Sequence, residues 1–267
     1  PDYAETALLK GSHVFCEKPP GKNVADILKI QKAEKASSGK KVIFGFNHRY
    51  HPAMQDASDI FNSKELGDIL YIRSQYGKSC GRGNGYVDSW RNNKEVSGGG
   101  ILLDQGIHIL DLIRLYLGEI EDVQGIITTN YWDIEVEDNA MVQFRTGKAI
   151  GSLHSCATLW RHGLEMEIGL ERGVLNISGF LSQSGSYGRE TLTISRKFRE
   201  GEEYKDAVGF PTEEVRYYDQ DNSWTVQVDY WLDCILNDKA IEKSGTSDAL
   251  KVMKIIETVY QQNGVNR

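Results

Sequence analysis

Apolar positions fall at helical and strand spacings in alternation over the first third of the chain, and the period changes near residue 69. Ala4 to Lys10 reads as the end of a helix stopped by Gly11, and His13 to Cys16 as a short buried strand. Asn23 to Ser37 places Val24, Ile27, Leu28, Ile30 and Ala33 at helical spacing, and KVIFGF at 41–46 is a second buried strand. Helix, strand, helix, strand predicts a parallel, doubly wound sheet. Pro52 to Asn62 is a further helix, ended near Gly67. ILYIRSQYG at 69–77 then alternates as a half-buried strand does. DVQGIITTNY, NAMVQFRTGKAIGSLHSCAT, LEMEIGLERGVLNISG and ETLTISRKF follow, and their Thr-Gly-Lys and Glu-Arg-Gly turns predict an antiparallel meander. Trp224 to Leu236 and Ser247 to Gln262 are helices. The predicted fold class is α/β plus α+β. Residues 1–46 are the remnant of a parallel sheet, and residues 47–267 an α+β domain with a large, mostly antiparallel open sheet. The last helix is expected to pack back on the first part.

One apolar run breaks its own pattern. In SGGGILLDQGIHILDLIRLYLG, residues 97–118, the stretch from Ile101 to Leu117 predicts a buried helix that nevertheless carries Asp104, His108 and Asp111 on one side. Buried ionisable groups are costly unless paired or used. Gly98-Gly99-Gly100 before the first turn would let the backbone approach a ligand and leave N–H groups free at the positive end of the helix dipole. A histidine flanked by carboxylates suits a general base, while a core histidine held by a carbonyl, or half of a metal site, fits the spacing too. Glu17-Lys18-Pro19-Pro20 follows a strand at the carboxyl end, where open parallel sheets bind ligands. An X-Pro bond there can be cis and aim Lys18, which is otherwise a solvated turn residue.

The remaining candidates are weaker. Asn47-His48-Arg49-Tyr50-His51 follows the second strand and offers donors for a polyol or phosphate, and Trp90-Arg91 could close over a cofactor. Trp160 and Arg161 could suit a sugar. CGRGNGY at 80–86 is expected to be a mobile loop and not a dinucleotide fingerprint. His154 and His162 are expected to be structural, and Glu135, Glu137 and Asp138 a solvated turn.

Composition narrows the class. The 267 residues carry a net charge of −7, which argues against a nucleic-acid partner. No apolar run reaches the roughly 18 residues of a membrane span. Cys16, Cys80, Cys156 and Cys234 are far apart and form no CxxC pair, which suits reduced thiols in the cytoplasm and no metal site.

Together, GSHVFCEKPP at 11–20, FGFNHRYHPA at 44–53 and GGGILLDQGIHILDL at 98–112 resemble the glucose–fructose oxidoreductase, inositol dehydrogenase and rhizopine-catabolism (Gfo/Idh/MocA) family. EDNAMVQFRTGKAIGSL and GTSDALKVMKIIETVY are similar as well, so the likeness covers nearly the whole chain. The resemblance implies a Rossmann domain binding NAD or NADP, then a domain whose open sheet often builds a homodimer or homotetramer. It implies hydride transfer between the nicotinamide and a CH–OH carbon of a sugar, an inositol or a nucleotide-sugar. On this chain, Lys18 and His108 would handle the proton, with Asp104 positioning substrate or assisting His108. Glu17, Lys18, Trp90 and Arg91 would lie on the cofactor side, and Asn47, Arg49, Tyr50 and Asp104 on the substrate side. No metal is implied. The alternatives are a non-catalytic NAD(P)- or sugar-sensing regulator and an NAD-dependent glycosidase. The glycine-rich turn of such a Rossmann domain is not in the sequence, so about a hundred residues are expected upstream. This polypeptide alone is expected to bind dinucleotide weakly and to be inactive.

Overall fold

The computed structural model describes residues 1–80, 85–197 and 212–265. Strands β1 (Val14–Cys16) and β2 (Val42–Phe44) pair in parallel, Val14 opposite Val42, and helices α1 (Asp2–Leu9) and α2 (Val24–Ala36) flank them. The Asn23 side chain accepts from the Asp26 N–H at 3.0 Å and so starts α2, which buries Ile27, Ile30 and Ala33 along one stripe. The second strand is shorter than KVIFGF suggests. Its other edge is covered from far along the chain: the Phe44 N–H donates to the Ser244 carbonyl at 2.8 Å, and Gln227 Nε2 donates to the Phe44 carbonyl at 2.8 Å.

The larger unit is an eight-stranded sheet. Its strands are β3 (Ile69–Ser79), β4 (Asp122–Thr128), β5 (Asn139–Thr146), β6 (Ala149–Cys156), β7 (Thr158–Leu170), β8 (Gly173–Ser178), β9 (Glu190–Arg196) and β10 (Thr212–Tyr218). Their order is β10-β9-β8-β7-β3-β6-β5-β4. The simple meander is therefore corrected: β3 lies between β6 and β7, parallel to β6 and antiparallel to β7. Every other pair is antiparallel, and one face is covered while the other is open, as the strict alternation of buried and exposed residues along β5 shows.

The covered face carries α3 (Pro52–Asn62), α5 (Ile107–Leu117) and α7 (Thr246–Gln262), while the short α4 (Lys94–Ser97) lies in the connection from β3 to α5. Helix α5 is almost wholly buried and fills the core with Ile107, Ile109, Leu110, Leu112 and Ile113. Helix α7 packs on β4 and α5 and also on α2 and β2, so it touches both units. Helix α6 (Ser223–Leu236) lies against the segment Asn47–Tyr50. Within CGRGNGY, residues 81–84 lie outside the described residues. Among the described residues no helix is long and apolar enough to cross a membrane.

Candidate active site

The carboxyl end of β1 leads into Lys18, and the Lys18–Pro19 peptide is cis. The Lys18 ammonium donates to the Asp104 backbone carbonyl at 2.7 Å and lies 3.3 Å from Asp104 Oδ1. Asp104 sits in a π-helical turn, Leu102–Gly106, that precedes α5; such widened turns recur at functional sites. Its other oxygen accepts from Lys78, at the end of β3, at 2.8 Å. Arg91 Nε is 3.7 Å from Asp104 Oδ1, and its guanidinium rests over the exposed Trp90 ring at 4.6 Å. Burial alone would raise the Asp104 pKa, but the Lys18 and Lys78 ammonium groups and Arg91 outweigh it and hold the carboxyl well below the usual range. Burial pushes the Lys18 pKa down, and Asp104 opposes that shift. Both Asp104 oxygens are thus engaged by lysines, and no hydrogen bond joins Asp104 to His108 among the described contacts.

One turn on, His108 is 3% exposed and its Nδ1 is buried without a hydrogen-bond partner. Its ring stacks on that of His48, with centroids 3.7 Å apart and planes at 14°. His48 Nδ1 is 3.1 Å from Asn47 Oδ1, and its Nε2 is 3.1 Å from the Tyr76 hydroxyl. An amide oxygen only accepts, so His48 carries its proton on Nδ1 and accepts from Tyr76 on Nε2. Burial first, and neighbouring cations and imidazoles next, push both histidines well below their usual pKa, so both rings are neutral at pH 7. The Tyr187 hydroxyl donates to Gln105 Oε1 at 3.3 Å, and its ring lies 5.6 Å from Tyr76.

Lys18, Asp104 and Arg91 therefore converge, with His108 one helical turn from Asp104. Other candidates go elsewhere. Asp111 does not continue the Asp104 stripe; it binds Arg49 through two 2.5 Å contacts, and Arg49 also pairs with Asp248 at 2.9 Å. Arg49 is 3% exposed and is committed to that ion pair, not open to a substrate. Asn47 and Tyr50 are also buried, the first holding His48 and donating to Ser223 Oγ at 3.4 Å. Glu17 folds over Gly45, where a Cβ would come within 2.8 Å of its Oε2. His154 is structural, between Gln75 and Asn139. Trp160 projects into solvent with Arg161 over its ring at 4.8 Å.

Two expectations at the start of the helix are corrected. The Gly100 and Leu102 N–H groups are not free: they donate to Glu137 Oε2 and Oε1 at 2.9 and 3.1 Å. The close approach at Gly100 is to protein backbone, since a Cβ there would meet the Glu137 carbonyl oxygen at 2.0 Å. Glu137 and Asp138 are consequently not a solvated turn. Both are buried, and Asp138 accepts from the N–H groups of Asn130, Tyr131 and Trp132.

Lys78, Tyr76, Tyr187 and the stacking role of His48 escaped the sequence reading. A signal for two of them exists, since Ile72, Ser74, Tyr76 and Lys78 share one face of β3 by period two, and that row ends in a lysine.

Residues 54–176 match the GFO/IDH/MocA C-terminal domain. Residues 54–176 are thus a C-terminal domain of the Gfo/Idh/MocA type. Among family relatives, levoglucosan dehydrogenase of Pseudarthrobacter phenanthrenivorans is 28% identical over 128 residues, covering 48% of this chain and 33% of that protein. D-Glucoside 3-dehydrogenase of Escherichia coli is 33% identical over 119 residues, 44% of this chain and 32% of that protein. The chain thus spans about a third of the length of these relatives in the matched stretch. Among solved structures of this fold, aldose–aldose oxidoreductase from Caulobacter crescentus complexed with glycerol superposes with a TM-score of 0.79 at 25% identity, covering 100% of this chain and 74% of that one. Levoglucosan dehydrogenase complexed with NADH and levoglucosan gives 0.84 at 18% identity, covering 98% and 74%.

Proposed function

We propose that this site serves an NAD(P)-dependent oxidoreductase acting on a CH–OH centre of a sugar, an inositol or a nucleotide-sugar. The observation that carries the reading is the neutral, buried His108 one turn beyond an Asp104 that anchors the Lys18 ammonium. The named dehydrogenases among the relatives, and the NADH complex among the solved structures, support the same class.

Loss of hydride from a C–H bond requires the adjacent O–H proton to leave, so the site needs a base and a cation beside one oxygen. His108, neutral and with an unpartnered buried Nδ1, is the base that takes up that proton. Lys18, fixed by two Asp104 oxygens, stabilises the charge that develops on the oxygen. His48 holds the plane of His108, and the Asn47 and Tyr76 contacts hold His48. The residues present fit the nicotinamide end of a dinucleotide site, with Lys18 and Glu17 at the carboxyl end of β1. When bound, the nicotinamide supplies the hydride acceptor or donor.

Four free thiols support a reducing, cytoplasmic setting. Ile126, Met141 and Ile150, exposed on the open face of the sheet, with Ile150 lining a cavity of about 770 Å³, support a homodimer or homotetramer built through that face. The division into a parallel-sheet part at 1–46 and a substrate and oligomerisation part at 47–267 is supported by the two separate sheets.

The test uses the full-length protein with NAD and NADP in a dehydrogenase screen of sugars, inositols and nucleotide-sugars. His108→Gln and Lys18→Met are expected to lose about 10²–10⁴-fold in turnover while dinucleotide binding is retained. Cofactor binding without turnover on any of these substrates would overturn the reading.

A further inference from the structure

Three cations meet one carboxylate at this site. Lys18, Lys78 and Arg91 each pair with Asp104, at 3.3, 2.8 and 3.7 Å, and among the described residues no other acidic oxygen lies within 4.0 Å of any of them. Glu17 is turned onto Gly45 and pairs with none of the three among the described contacts. With His108 and His48 neutral, the three cations exceed Asp104 by two charges, and still by one when Glu17, whose carboxylate acts on Lys18 from beyond contact distance, is counted. The lysines are far from solvated: the Lys18 and Lys78 side chains are 19% and 24% exposed. This surplus stands in a protein whose net charge is −7, so it is a local arrangement and not a reflection of composition.

Proton handling at a carbinol accounts for Lys18 and His108, and the anchoring of Lys18 accounts for Asp104. Neither needs Lys78. Its row on β3, from Ile72 through Tyr76, faces the covered side of the sheet, and a lysine at the end of that row is carried into the site instead of into open solvent. Half-burying like charges around a single counter-ion is unfavourable unless a further anion completes the set. An oxidised nicotinamide brings another positive charge, which deepens the imbalance.

We infer that the substrate is an anionic sugar derivative, bearing a carboxylate or a phosphate that Lys78 and Arg91 receive while Lys18 and His108 meet the reacting hydroxyl. This rests on the oxidoreductase reading for the reacting end only; the anion site stands on the cation cluster itself. Lys78 is a specificity-determining residue in this account, and Arg91, more exposed and stacked on Trp90, is its partner at the rim.

The experiment compares matched neutral and anionic sugars on the full-length protein. Glucose and galactose are set against glucuronate, galacturonate and the hexose 6-phosphates, by kcat/KM with NAD and NADP and by calorimetric Kd in the presence of the reduced cofactor. An anionic series favoured by about tenfold or more is expected, the size of one charge-assisted hydrogen bond. Lys78→Gln should collapse that ratio toward one, chiefly through KM and Kd, and Lys78→Arg should keep most of it. Preference for uronates alone assigns a carboxylate, and preference for the 6-phosphates alone assigns a phosphate. Neutral sugars bound and turned over as well as their anionic counterparts, or a ratio unmoved by Lys78→Gln, would overturn the inference and leave the oxidoreductase reading intact. Selective, Lys78-dependent anion binding with no turnover would instead uphold the anion site and defeat the oxidoreductase reading.

Discussion

Replacing Glu137 by alanine tests the account of how Asp104 is held. The Glu137 carboxylate accepts from Gly100 N–H at 2.9 Å, from Leu102 N–H at 3.1 Å and from the Tyr260 hydroxyl at 2.6 Å. Glu137 is 6% exposed and Tyr260 1%, so water does not readily replace the lost acceptor. Each stranded donor costs about 1–3 kcal/mol, and relief from carrying a buried charge offsets part of the total, which leaves an expected loss of about 3–5 kcal/mol. For a chain of this size that lowers Tm by roughly 6–20 °C. Tyr260→Phe removes one donor and should cost about 1 kcal/mol. The double variant should be less destabilised than the two losses together, because both single variants remove the same Tyr260–Glu137 hydrogen bond. Calorimetry on the three variants and the parent measures this directly. A Glu137→Ala loss below about 1 kcal/mol, additive with Tyr260→Phe, would refute the reasoning by showing that solvent reaches the Gly100–Leu102 turn.

Two further outcomes follow from buried charge. His48 and His108 have folded pKa values well below 6.5, chiefly through burial, whereas the unfolded chain takes up protons near 6.5. Below that value the unfolded state binds more protons, so their contribution is intact above pH 6.5 and is lost as pH falls, by up to about 1.4 kcal/mol per pH unit for each ring. Urea unfolding across this range should show the slope, His48→Phe should reduce it by up to about 1.4 kcal/mol per pH unit, and an unchanged slope in that variant would exclude His48 as a contributor. Arg49→Ala strands the buried Asp111 and should destabilise by about 3–5 kcal/mol, with substrate KM little changed in the folded fraction. A stable variant with a raised KM would show instead that Arg49 meets the substrate.

The elements that local spacing specifies were legible. Asn23 caps α2 where the apolar stripe begins, Pro52 opens α3, and the alternation along β5 states which face is covered. Alternation gives a strand's face but not its neighbour, which is why β3 was not foreseen between β6 and β7, 70 or more positions distant in several of its pairings. Strand β10 escaped because Thr212 to Val215 are all exposed and carry no buried alternation. Glu137 and Asp138 looked solvated because acidic residues usually are; only the return of the Gly100 backbone and of the 130–132 loop supplies the donors that make their burial tolerable. Asp104 and His108 were visible as misfits in an apolar helix. Asp111 was the same kind of misfit, yet its partner Arg49 comes from the segment before α3, a contact that helix geometry cannot announce.

The covering of β2 by Ser244 and Gln227 sets a timetable for synthesis. Gln227 follows Phe44 by 183 positions, and at ordinary translation speeds roughly 10–40 s separate their emergence from the ribosome. Through that interval the Phe44 N–H on the outer edge of β2 lacks its Ser244 acceptor and the Phe44 carbonyl lacks Gln227, beside the buried-to-be side chains of Val42, Ile43 and Phe44. An open edge of this kind pairs readily with another chain. Nascent protein is therefore exposed to edge pairing until the segment 227–244 appears, and slow translation of the sheet would lengthen that hazard, whereas chaperone occupancy over the first strands would guard against it.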